Sequence, residues 1–349
     1  MVKVCKKSTA LLLRIEKIFL PLQPKTLNTH SQSMRSFLKP LAICAALMTL
    51  PVANSQEIDR GDVNFLIVSD LGAFGGADQK VVAQTLGETA EQYHPTAILN
   101  LGDTFHFWGV ESVDDPGWKS NFEDIYTNPW LHSLWYCALG NHDYQGNTQA
   151  LIDYTDRSRR WNMPDHYFTK TFKGKGTEVE VIFIDSTPYL DRAQSQPEIY
   201  PHACLQDTAA QTAWLAEKLA RSSADWVIVA AHHPVYSSRP DNSRQRKNIF
   251  EHLAPVLMQH RPDIYISGDV HCFEHFAFDG DPTDYITCSS GSEAYPVANP
   301  HANTLFTSGL SGFCTMSVSK DKIDISMLDK NGRILYQYTK HKDNTTAKP

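Results

Sequence analysis

Short apolar runs that end in Asp, Asn or His recur along this chain of 349 residues. The clearest is residues 97–101, which Gly102 and Asp103 follow directly, with His106 three positions later. Apolar runs of this length, bounded by turn-forming residues, are typical of buried strands. In an open α/β sheet, ligands bind where the strands end at their carboxyl edge. The recurrence therefore predicts a fold in which several strand ends carry polar side chains to one edge.

Segments with helical periodicity lie between these runs, which predicts a layered α/β fold. Asp207 is a suitable N-cap for a helix that continues through Arg221, and Asn331-Gly332 predicts a hairpin turn. The predicted strands are residues 63–69, 97–101, 135–139, 178–184, 226–231, 263–267, 313–319, 323–328 and 334–338; the other predicted helices are residues 79–93, 122–126 and 249–259.

Residues 188–206 carry no regular pattern and could form a lid or a rim. No break in composition divides residues 56–349, so we expect a single domain there.

The N-terminal part resembles an export signal rather than a folded segment. Residues 34–39 are basic, residues 41–50 are apolar, and small residues at 53 and 55 precede Gln56. This pattern predicts a signal peptide that starts at Met34 and is cleaved after Ser55, within an extension of residues 1–55. The apolar run is too short for a transmembrane anchor, so we expect a secreted or periplasmic protein. An amphipathic or disordered tail is the alternative.

Charge excludes one class of partner. The first 55 residues hold eight Lys and Arg and one acidic residue, whereas the rest holds 24 basic and 38 acidic residues. An acidic surface argues against nucleic-acid binding by general attraction, although bound cations would still allow an anionic substrate.

The five cysteines after residue 55 show no CxxC spacing, which argues against a zinc-thiolate site. They leave one disulfide possible, without identifying it.

The polar residues at the strand ends offer oxygen and imidazole nitrogen, which suit zinc, manganese or iron. They are Asp70, Asp103, His106, Asn141, His232, Asp269 and His271. Each alone has an ordinary structural explanation, since Asp often caps a turn and His is often a hydrogen-bonded core residue. The metal hypothesis depends on five strand-end loops agreeing in order.

With these motifs in hand, the chain resembles the metallophosphoesterase superfamily, and within it the small purple acid phosphatases of the tartrate-resistant type. The matching stretches are Asp70-Leu71-Gly72, Gly102-Asp103-Thr104-Phe105-His106, Gly140-Asn141-His142-Asp143, His232-His233-Pro234-Val235 and Gly268-Asp269-Val270-His271. The resemblance covers roughly residues 63–338. It implies a four-layer α/β/β/α sandwich with two metal ions and a small phosphate-ester substrate.

The resemblance also implies roles for individual residues. The first metal would bind Asp70, Asp103, His106 and His271; the second would bind Asp103 as a bridge, Asn141, His232 and Asp269. A metal-bound hydroxide would hydrolyse a phosphomonoester, and His142 would stabilise the transition state or protonate the leaving group. Asp143 could orient His142 or cap its loop, and His233 could assist catalysis. Asn141, His142, Arg239 and Arg244 are candidates for substrate binding, although the two arginines could equally belong to a solvated loop.

Two positions depart from the family pattern. The tyrosine that ligates the ferric ion in the family is His106 here, and the first His of its GHxH motif is Asp269. The ligand set still carries three negative charges in total. His106 removes one anionic ligand from the first metal, and Asp269 adds one to the second. We therefore expect two divalent ions of iron, zinc or manganese, no purple colour, and a less acidic pH optimum. Alternatively, His106 packs into the core, or Asp269 is a turn residue and the second metal is lost.

Three functions follow, and the sequence does not separate them. The leading one is a dinuclear-metal phosphomonoesterase. The second is a phosphodiesterase or nucleotidase with the same core. The sequence does not separate it from the first, because the residues that contact the leaving group lie in variable loops. The third is a scaffold or binding protein with an altered metal site, which the changes at positions 106 and 269 allow. The oligomeric state is not predicted.

Overall fold

The structure is a computed structural model, and it describes residues 58–240, 243–297 and 300–342. The predictions for the signal peptide and the extension of residues 1–55 lie outside the described residues. Within the described part, no helix is long and apolar enough to cross a membrane.

Two seven-stranded mixed sheets form the body of the protein. The strands are β1 (Val63–Val68), β2 (Ala97–Asn100), β3 (Trp135–Cys137), β4 (Trp161–Asn162), β5 (Phe168–Lys173), β6 (Glu178–Phe183), β7 (Trp226–Ala230), β8 (Ile264–Ser267), β9 (Phe273–Phe278), β10 (Asp281–Cys288), β11 (Thr304–Ser308), β12 (Gly312–Val318), β13 (Lys322–Asp329) and β14 (Ile334–His341). The first sheet has the order β14-β13-β12-β1-β2-β3-β4, and the second has the order β11-β9-β10-β8-β7-β6-β5. In the first sheet β1, β2, β3 and β4 pair in parallel up to one edge, and antiparallel strands extend the other edge. In the second sheet the parallel strands β6, β7, β8 and β10 lie inside, and antiparallel strands form both edges.

The central strands are buried on both faces, as expected for parallel strands covered on both sides. All six residues of β1 are buried, and β1 runs parallel to β2 with Leu66 opposite Ile98. In the second sheet, β7 runs parallel to β8 with Ile228 opposite Ile264. Parallel neighbours end at the same edge, so the loops after β1, β2 and β3 and those after β7 and β8 are brought together.

The sheets pack face to face, with helices on their other faces. The rings of Phe65 in β1 and Phe172 in β5 meet edge to face at 4.9 Å between centroids, across the two sheets. The helices are α1 (Gln79–Tyr93), α2 (Thr148–Asp153), α3 (Asp191–Ser195), α4 (Thr208–Arg221) and α5 (Ser243–His260). Helix α1 packs against β1 and β12, and α5 packs against α4 and β10. The predicted α/β/β/α layering is confirmed.

Several predicted elements differ from the observed ones. The helix expected at residues 122–126 is instead a single π-helical turn, Lys119–Glu123. Helix α5 begins at Ser243, six residues before the predicted start, because its first turns are polar and carry no apolar period. Residues 188–206, which carry no regular pattern in the sequence, contain α3 and a 3₁₀ turn at Ala203–Leu205, and another 3₁₀ turn, Thr187–Tyr189, precedes α3. Strands β4, β5, β9, β10 and β11 were not predicted. The five cysteines after residue 55 all lie in the described part of the chain, and all are free thiols.

Candidate metal centre and active-site cleft

Five loops carry the predicted ligands to the shared edge of the two sheets. Asp70 follows β1, Asp103 and His106 follow β2, Asn141 follows β3, His232 follows β7, and Asp269 and His271 follow β8. Several of these side chains have ligand atoms within 4.8 Å of one another, in overlapping groups that include Asp70 with His106 and His271, Asp70 with Asp103 and His232, and His232 with His233 and Asp269. The strand ends therefore converge as the sequence predicted.

The backbone at these strand ends is held in an unusual conformation. Asp70, Asp103, Asp269 and His271 all have positive φ angles, of 56°, 54°, 71° and 52°. Residues other than glycine adopt this region at a cost of about 1–3 kcal/mol each, and such residues cluster at functional sites. Gly102 has a φ of 100°, and a Cβ there would lie 2.8 Å from Nδ1 of His232. Glycine thus lets the loop after β2 approach the loop after β7.

Three imidazoles turn Nε2 toward the centre of the cluster. Nδ1 of His106 lies 2.7 Å from the carbonyl oxygen of Gly72, Nδ1 of His232 lies 2.8 Å from that of Leu101, and Nδ1 of His271 lies 3.3 Å from that of Glu293. A carbonyl oxygen only accepts, so each Nδ1 carries a hydrogen and donates it. In the neutral ring, Nε2 is then free to bind a cation. This backbone support is the usual way to fix a metal-binding histidine.

Asp103 lies between these histidines. Its Oδ2 is 3.1 Å from Nε2 of His106 and 3.3 Å from Nε2 of His232, while its Oδ1 accepts a hydrogen bond from the backbone of His142 at 2.8 Å. Asp103 is almost completely buried. One carboxylate therefore faces a histidine of each predicted metal site, which is the position that a bridging ligand needs.

Asp70 supplies a buried oxygen without a partner. Its Oδ2 accepts hydrogen bonds from the hydroxyls of Ser69 and Ser289, at 2.7 and 2.6 Å, and from the backbone of Asp269. Its Oδ1 is buried with no hydrogen-bond partner among the described residues, 3.7 Å from Nε2 of His271. A buried carboxylate oxygen left unpaired is costly, and a cation between Asp70 and His271 would satisfy it.

The side chains around the second predicted metal position bring several hydrogen-bond acceptors close together. The amide oxygen of Asn141 lies 3.1 Å from Oδ1 of Asp269 and 3.3 Å from Nε2 of His233. Oδ1 of Asp269 is itself 3.9 Å from Nε2 of His232 and 3.7 Å from that of His233. Either a cation or a half-turn of the Asn141 amide, which brings its NH₂ group inward, satisfies this cluster. His233 hydrogen-bonds Ser186 through Nδ1 at 2.8 Å.

Electrostatics show that the cluster attracts positive charge. Burial alone would lower the pKa of His106, but its hydrogen bond to Asp103 and the charges of Asp103 and Asp70 raise that pKa to about 9. The same carboxylates outweigh burial at His232 and hold its pKa well above the usual value. The carboxylates of this cluster therefore favour positive charge at its centre. Burial raises the pKa of Asp269 to about 6, as expected for a carboxyl group that lacks a cation.

His142 lies at the edge of the cluster and lines the cleft. Burial lowers its pKa. Its Nδ1 is 3.1 Å from the carbonyl oxygen of Phe107 and 3.0 Å from the amide nitrogen of Gln145. The carbonyl oxygen of Phe107 accepts from a protonated Nδ1, whereas the amide nitrogen of Gln145 donates to an unprotonated one. In the second tautomer the ring proton resides on Nε2 and is available to an oxygen in the cleft. Gln145 is a positioning residue that sequence reasoning missed.

Asp143 connects two of the loops. Its Oδ2 accepts from the backbone nitrogens of Asp103 and Gly140, both at 2.9 Å, and its Oδ1 accepts from that of Phe105 at 3.3 Å. Burial, with the nearby charge of Asp103, raises its pKa to about 7. All three contacts are to backbone nitrogens of the loops, which favours the capping role of Asp143 over the orientation of His142.

The cluster opens into a cleft of about 210 Å³ lined in part by two arginines. Arg239 lines it as predicted for a substrate-binding residue. The other predicted arginine, Arg244, is not among its lining residues; its side chain is 81% exposed and pairs with Asp191 at 3.2 Å. Arg192, Gln245 and Tyr295 line the cleft and were not predicted, because the segments that carry them, α3, the start of α5 and a loop, contain no motif of their own.

The donor set fits two cations. Carboxylate, amide oxygen and imidazole ligands, with backbone-supported histidines and an unpaired buried oxygen, suit borderline divalent metals. Histidine at position 106 presents Nε2 to Asp103, so the core-packed alternative, in which His106 turns away from the cluster, does not describe the geometry.

Comparison with known proteins agrees with this arrangement. Residues 63–273 match the family described as calcineurin-like phosphoesterase. The chain belongs to that family.

The curated relatives are phosphatases. The chain is 28% identical over 326 residues to purple acid phosphatase 4 of Arabidopsis thaliana, covering 87% of this chain and 93% of the relative. It is 28% identical over 323 residues to tartrate-resistant acid phosphatase type 5 of Sus scrofa, covering 85% and 94%. These relatives agree with the predicted resemblance.

Two solved structures share the fold. GAP50, described as the anchor in the inner membrane complex of Plasmodium, aligns with a TM-score of 0.68 at 24% identity, over 81% of this chain and 90% of that one. A purple acid phosphatase from yellow lupin, Lupinus luteus, aligns with a TM-score of 0.61 at 13% identity, over 82% and 55%. At these identities the likeness concerns the fold alone.

Proposed function

We propose that this chain is a metal-dependent phosphomonoesterase that holds two divalent cations. The first would bind Asp70, Asp103, His106 and His271, and the second Asp103, Asn141, His232 and Asp269. The observation that carries the proposal is the convergence of Nε2 of His106 and of His232 on Asp103, and of Nε2 of His271 on the unpaired Oδ1 of Asp70. Once bound, two such cations activate water at neutral pH and offset the charge of the phosphoryl oxygens.

The side chains of the cleft would handle the substrate. Asn141 and His142 line it beside Asp103, so a phosphate placed there would contact both. With Gln145 donating to Nδ1, His142 donates its Nε2 proton to the leaving oxygen, a contribution of roughly 10²–10⁴-fold. Asp143 holds the loops of Asp103 and His142 at a fixed separation. His233, fixed by Ser186, would hold Asp269 and Asn141 in place.

The metals are proposed to be zinc, manganese or divalent iron. No tyrosine stands at position 106, so an Fe(III)-phenolate colour is not expected, and the pH optimum should be less acidic than that of a ferric site. The export signal predicted at residues 1–55 supports secretion or a periplasmic location.

Turnover by the purified full chain tests the function. p-Nitrophenyl phosphate and bis-p-nitrophenyl phosphate are compared with added Mn²⁺, Zn²⁺ or Fe²⁺, from acid to alkaline pH. We expect faster turnover of the monoester, and a His142→Ala variant that keeps its metal but loses most of kcat. Faster turnover of the diester would favour the phosphodiesterase alternative.

The non-catalytic scaffold is the remaining alternative. The likeness to the Plasmodium anchor protein carries the fold alone and does not favour it. No turnover of either ester with any metal at any pH would refute the phosphatase proposal and favour a scaffold.

A further inference from the structure

Two buried cysteines lie on different sheets, where the sheets come together below the edge that carries Asp70. Cys288 is the last residue of β10 in the second sheet, and Cys314 lies near the start of β12 in the first sheet. Both side chains are completely buried. The backbone nitrogen of Gly312, at the start of β12, donates to the carbonyl oxygen of Ser290, just after β10, at 2.9 Å. The two sheets are therefore in direct backbone contact next to both cysteines.

The register around this contact places the two cysteines opposite each other. Strand β10 runs toward the edge, parallel to β8, whereas β12 runs away from it, antiparallel to β1. From the hydrogen bond between Ser290 and Gly312, two residues back along β10 lead to Cys288, and two residues forward along β12 lead to Cys314. Side chains two residues apart in a strand point to the same face, so both cysteines lie one step below the contact.

The side chain of Cys288 crosses to the first sheet. Its Sγ lies 3.3 Å from the carbonyl oxygen of Ile67 in β1. Ile67 is the residue that pairs with Cys314 between β1 and β12. Burial, with the thiol of Cys288 as a neighbour, raises the pKa of the Cys314 thiol well above its usual value. The sulfur of Cys288 thus reaches the strand pair that holds Cys314.

The other cysteines of the described chain have different surroundings. Cys137 lies in β3, and its Sγ is 3.8 Å from the carbonyl oxygen of its near neighbour Trp135. Cys204 is exposed. Cys272 directly precedes Phe273, the residue that pairs with Cys288, so alternation along the strand turns it to the opposite face. The geometry therefore singles out one pair.

We propose that Cys288 and Cys314 form a disulfide bond that joins the two sheets, and that a second disulfide, of a small thiol or of a protein, is the oxidant. One cysteine thiolate attacks a sulfur of the oxidant and releases one thiol; the other cysteine then attacks the mixed disulfide and releases the second. The two cysteines lose two protons and two electrons, and the oxidant is reduced to two thiols. Since both side chains are fully buried in the folded protein, the exchange takes place while the sheets assemble.

The position of this bond links it to the fold around Asp70. The hydroxyl of Ser289, the residue after Cys288, donates to Oδ2 of Asp70 at 2.6 Å, and that of Ser292 donates to the Asp70 carbonyl oxygen at 2.7 Å. The bond anchors the start of the segment that supports Asp70. It also closes residues 289–313 into a loop, which restricts the unfolded chain and so stabilises the folded one. The export signal predicted at residues 1–55 would deliver the chain to a compartment that contains such oxidants.

Peptide mapping tests the bond directly. The full chain is unfolded in urea with dithiothreitol and refolded in a mixture of reduced and oxidised glutathione. Remaining thiols are then alkylated in urea, and the digest is analysed by mass spectrometry without reduction. We expect one linked pair of peptides that contains Cys288 and Cys314, and alkylated Cys137 and Cys272. Separate alkylated peptides for Cys288 and Cys314, or a bond from either to another cysteine, would overturn the proposal.

Stability measures whether the bond joins the sheets. The urea midpoint of protein refolded with glutathione should exceed that of protein refolded with dithiothreitol by about 1 M. Cys314→Ala should show the same midpoint in both buffers and no linked peptides. Cys204→Ala, which removes an exposed thiol, is the matched control and should keep both the bond and the difference. A wild-type midpoint that is equal in the two buffers would contradict a bond between the sheets. Neither measurement uses turnover, so failure of the proposed function leaves this inference standing.

Discussion

Replacing His106 with alanine should empty the first metal site and leave the second largely occupied. His106 departs from the family pattern, and its side chain is 3% exposed. Its Nδ1 is fixed by the Gly72 carbonyl oxygen at 2.7 Å, and its Nε2 faces Oδ2 of Asp103 at 3.1 Å. Alanine removes the nitrogen ligand, while the groups that would hold the second metal remain.

The size of the effect can be estimated from the number of ligands. Structural zinc sites bind with about 10–16 kcal/mol spread over four ligands, so one ligand contributes about 2.5–4 kcal/mol. Loss of His106 should therefore weaken the first site by roughly two to three powers of ten. Loss of the hydrogen bond to Gly72 should also lower the free energy of unfolding of the metal-free protein by about 1 kcal/mol.

Metal content per chain, measured after dialysis against a defined free-metal concentration, is the assay. We expect two ions in the wild-type protein and one in His106→Ala. His252→Ala, an exposed histidine of α5, is the control and should keep both. Two ions bound with unchanged affinity in His106→Ala would show that position 106 is not a ligand.

Three further predictions test other parts of the structure. Asp103→Asn removes one negative charge between both metal positions and should lower kcat by at least about a hundredfold in steady-state assays; near-normal turnover would contradict the bridge. Gly72→Ala would place a Cβ 2.2 Å from the backbone nitrogen of His106, so urea unfolding should show a loss of about 1–3 kcal/mol, and an unchanged midpoint would contradict that packing. Burial raises the pKa of Asp284, but the hydrogen bond of His275 and the charge of Lys340 hold it below 3.8. Ionised Asp284 therefore stabilises the fold above that pH, and this stabilisation is lost as pH falls through the lowered pKa. The loss of unfolding free energy in Asp284→Asn, about 1–3 kcal/mol at neutral pH, should therefore fade in strong acid. A loss that grows in acid would contradict this reasoning.

The sequence predicted the layers and the strand-end residues because both depend on local patterns. Buried parallel strands such as β1 and β7 are continuous apolar runs, and the residue that follows such a run lies at the carboxyl edge. Asp70, Asp103 and His232 could therefore be placed near one another without knowledge of the packing.

Other features depend on contacts between distant segments. Strands β9 and β10 were missed because buried polar residues interrupt their apolar pattern. His275 and Asp284 pair with each other at 3.0 Å, and each has a further partner, Tyr336 for His275 and Lys340 for Asp284. Similarly, Arg192 reaches the cleft through its stacking on Tyr200, and Gln145 reaches His142 through the geometry of one turn. No local pattern indicates these contacts.

Anomalous diffraction from crystals of the metal-loaded protein tests the central claim most directly. The account predicts two metal peaks about 3.5–4 Å apart, with the carboxylate of Asp103 between them and Nε2 of His106 and of His232 on opposite sides. A single peak, or two peaks of which either lacks Asp103 as a ligand, would contradict it.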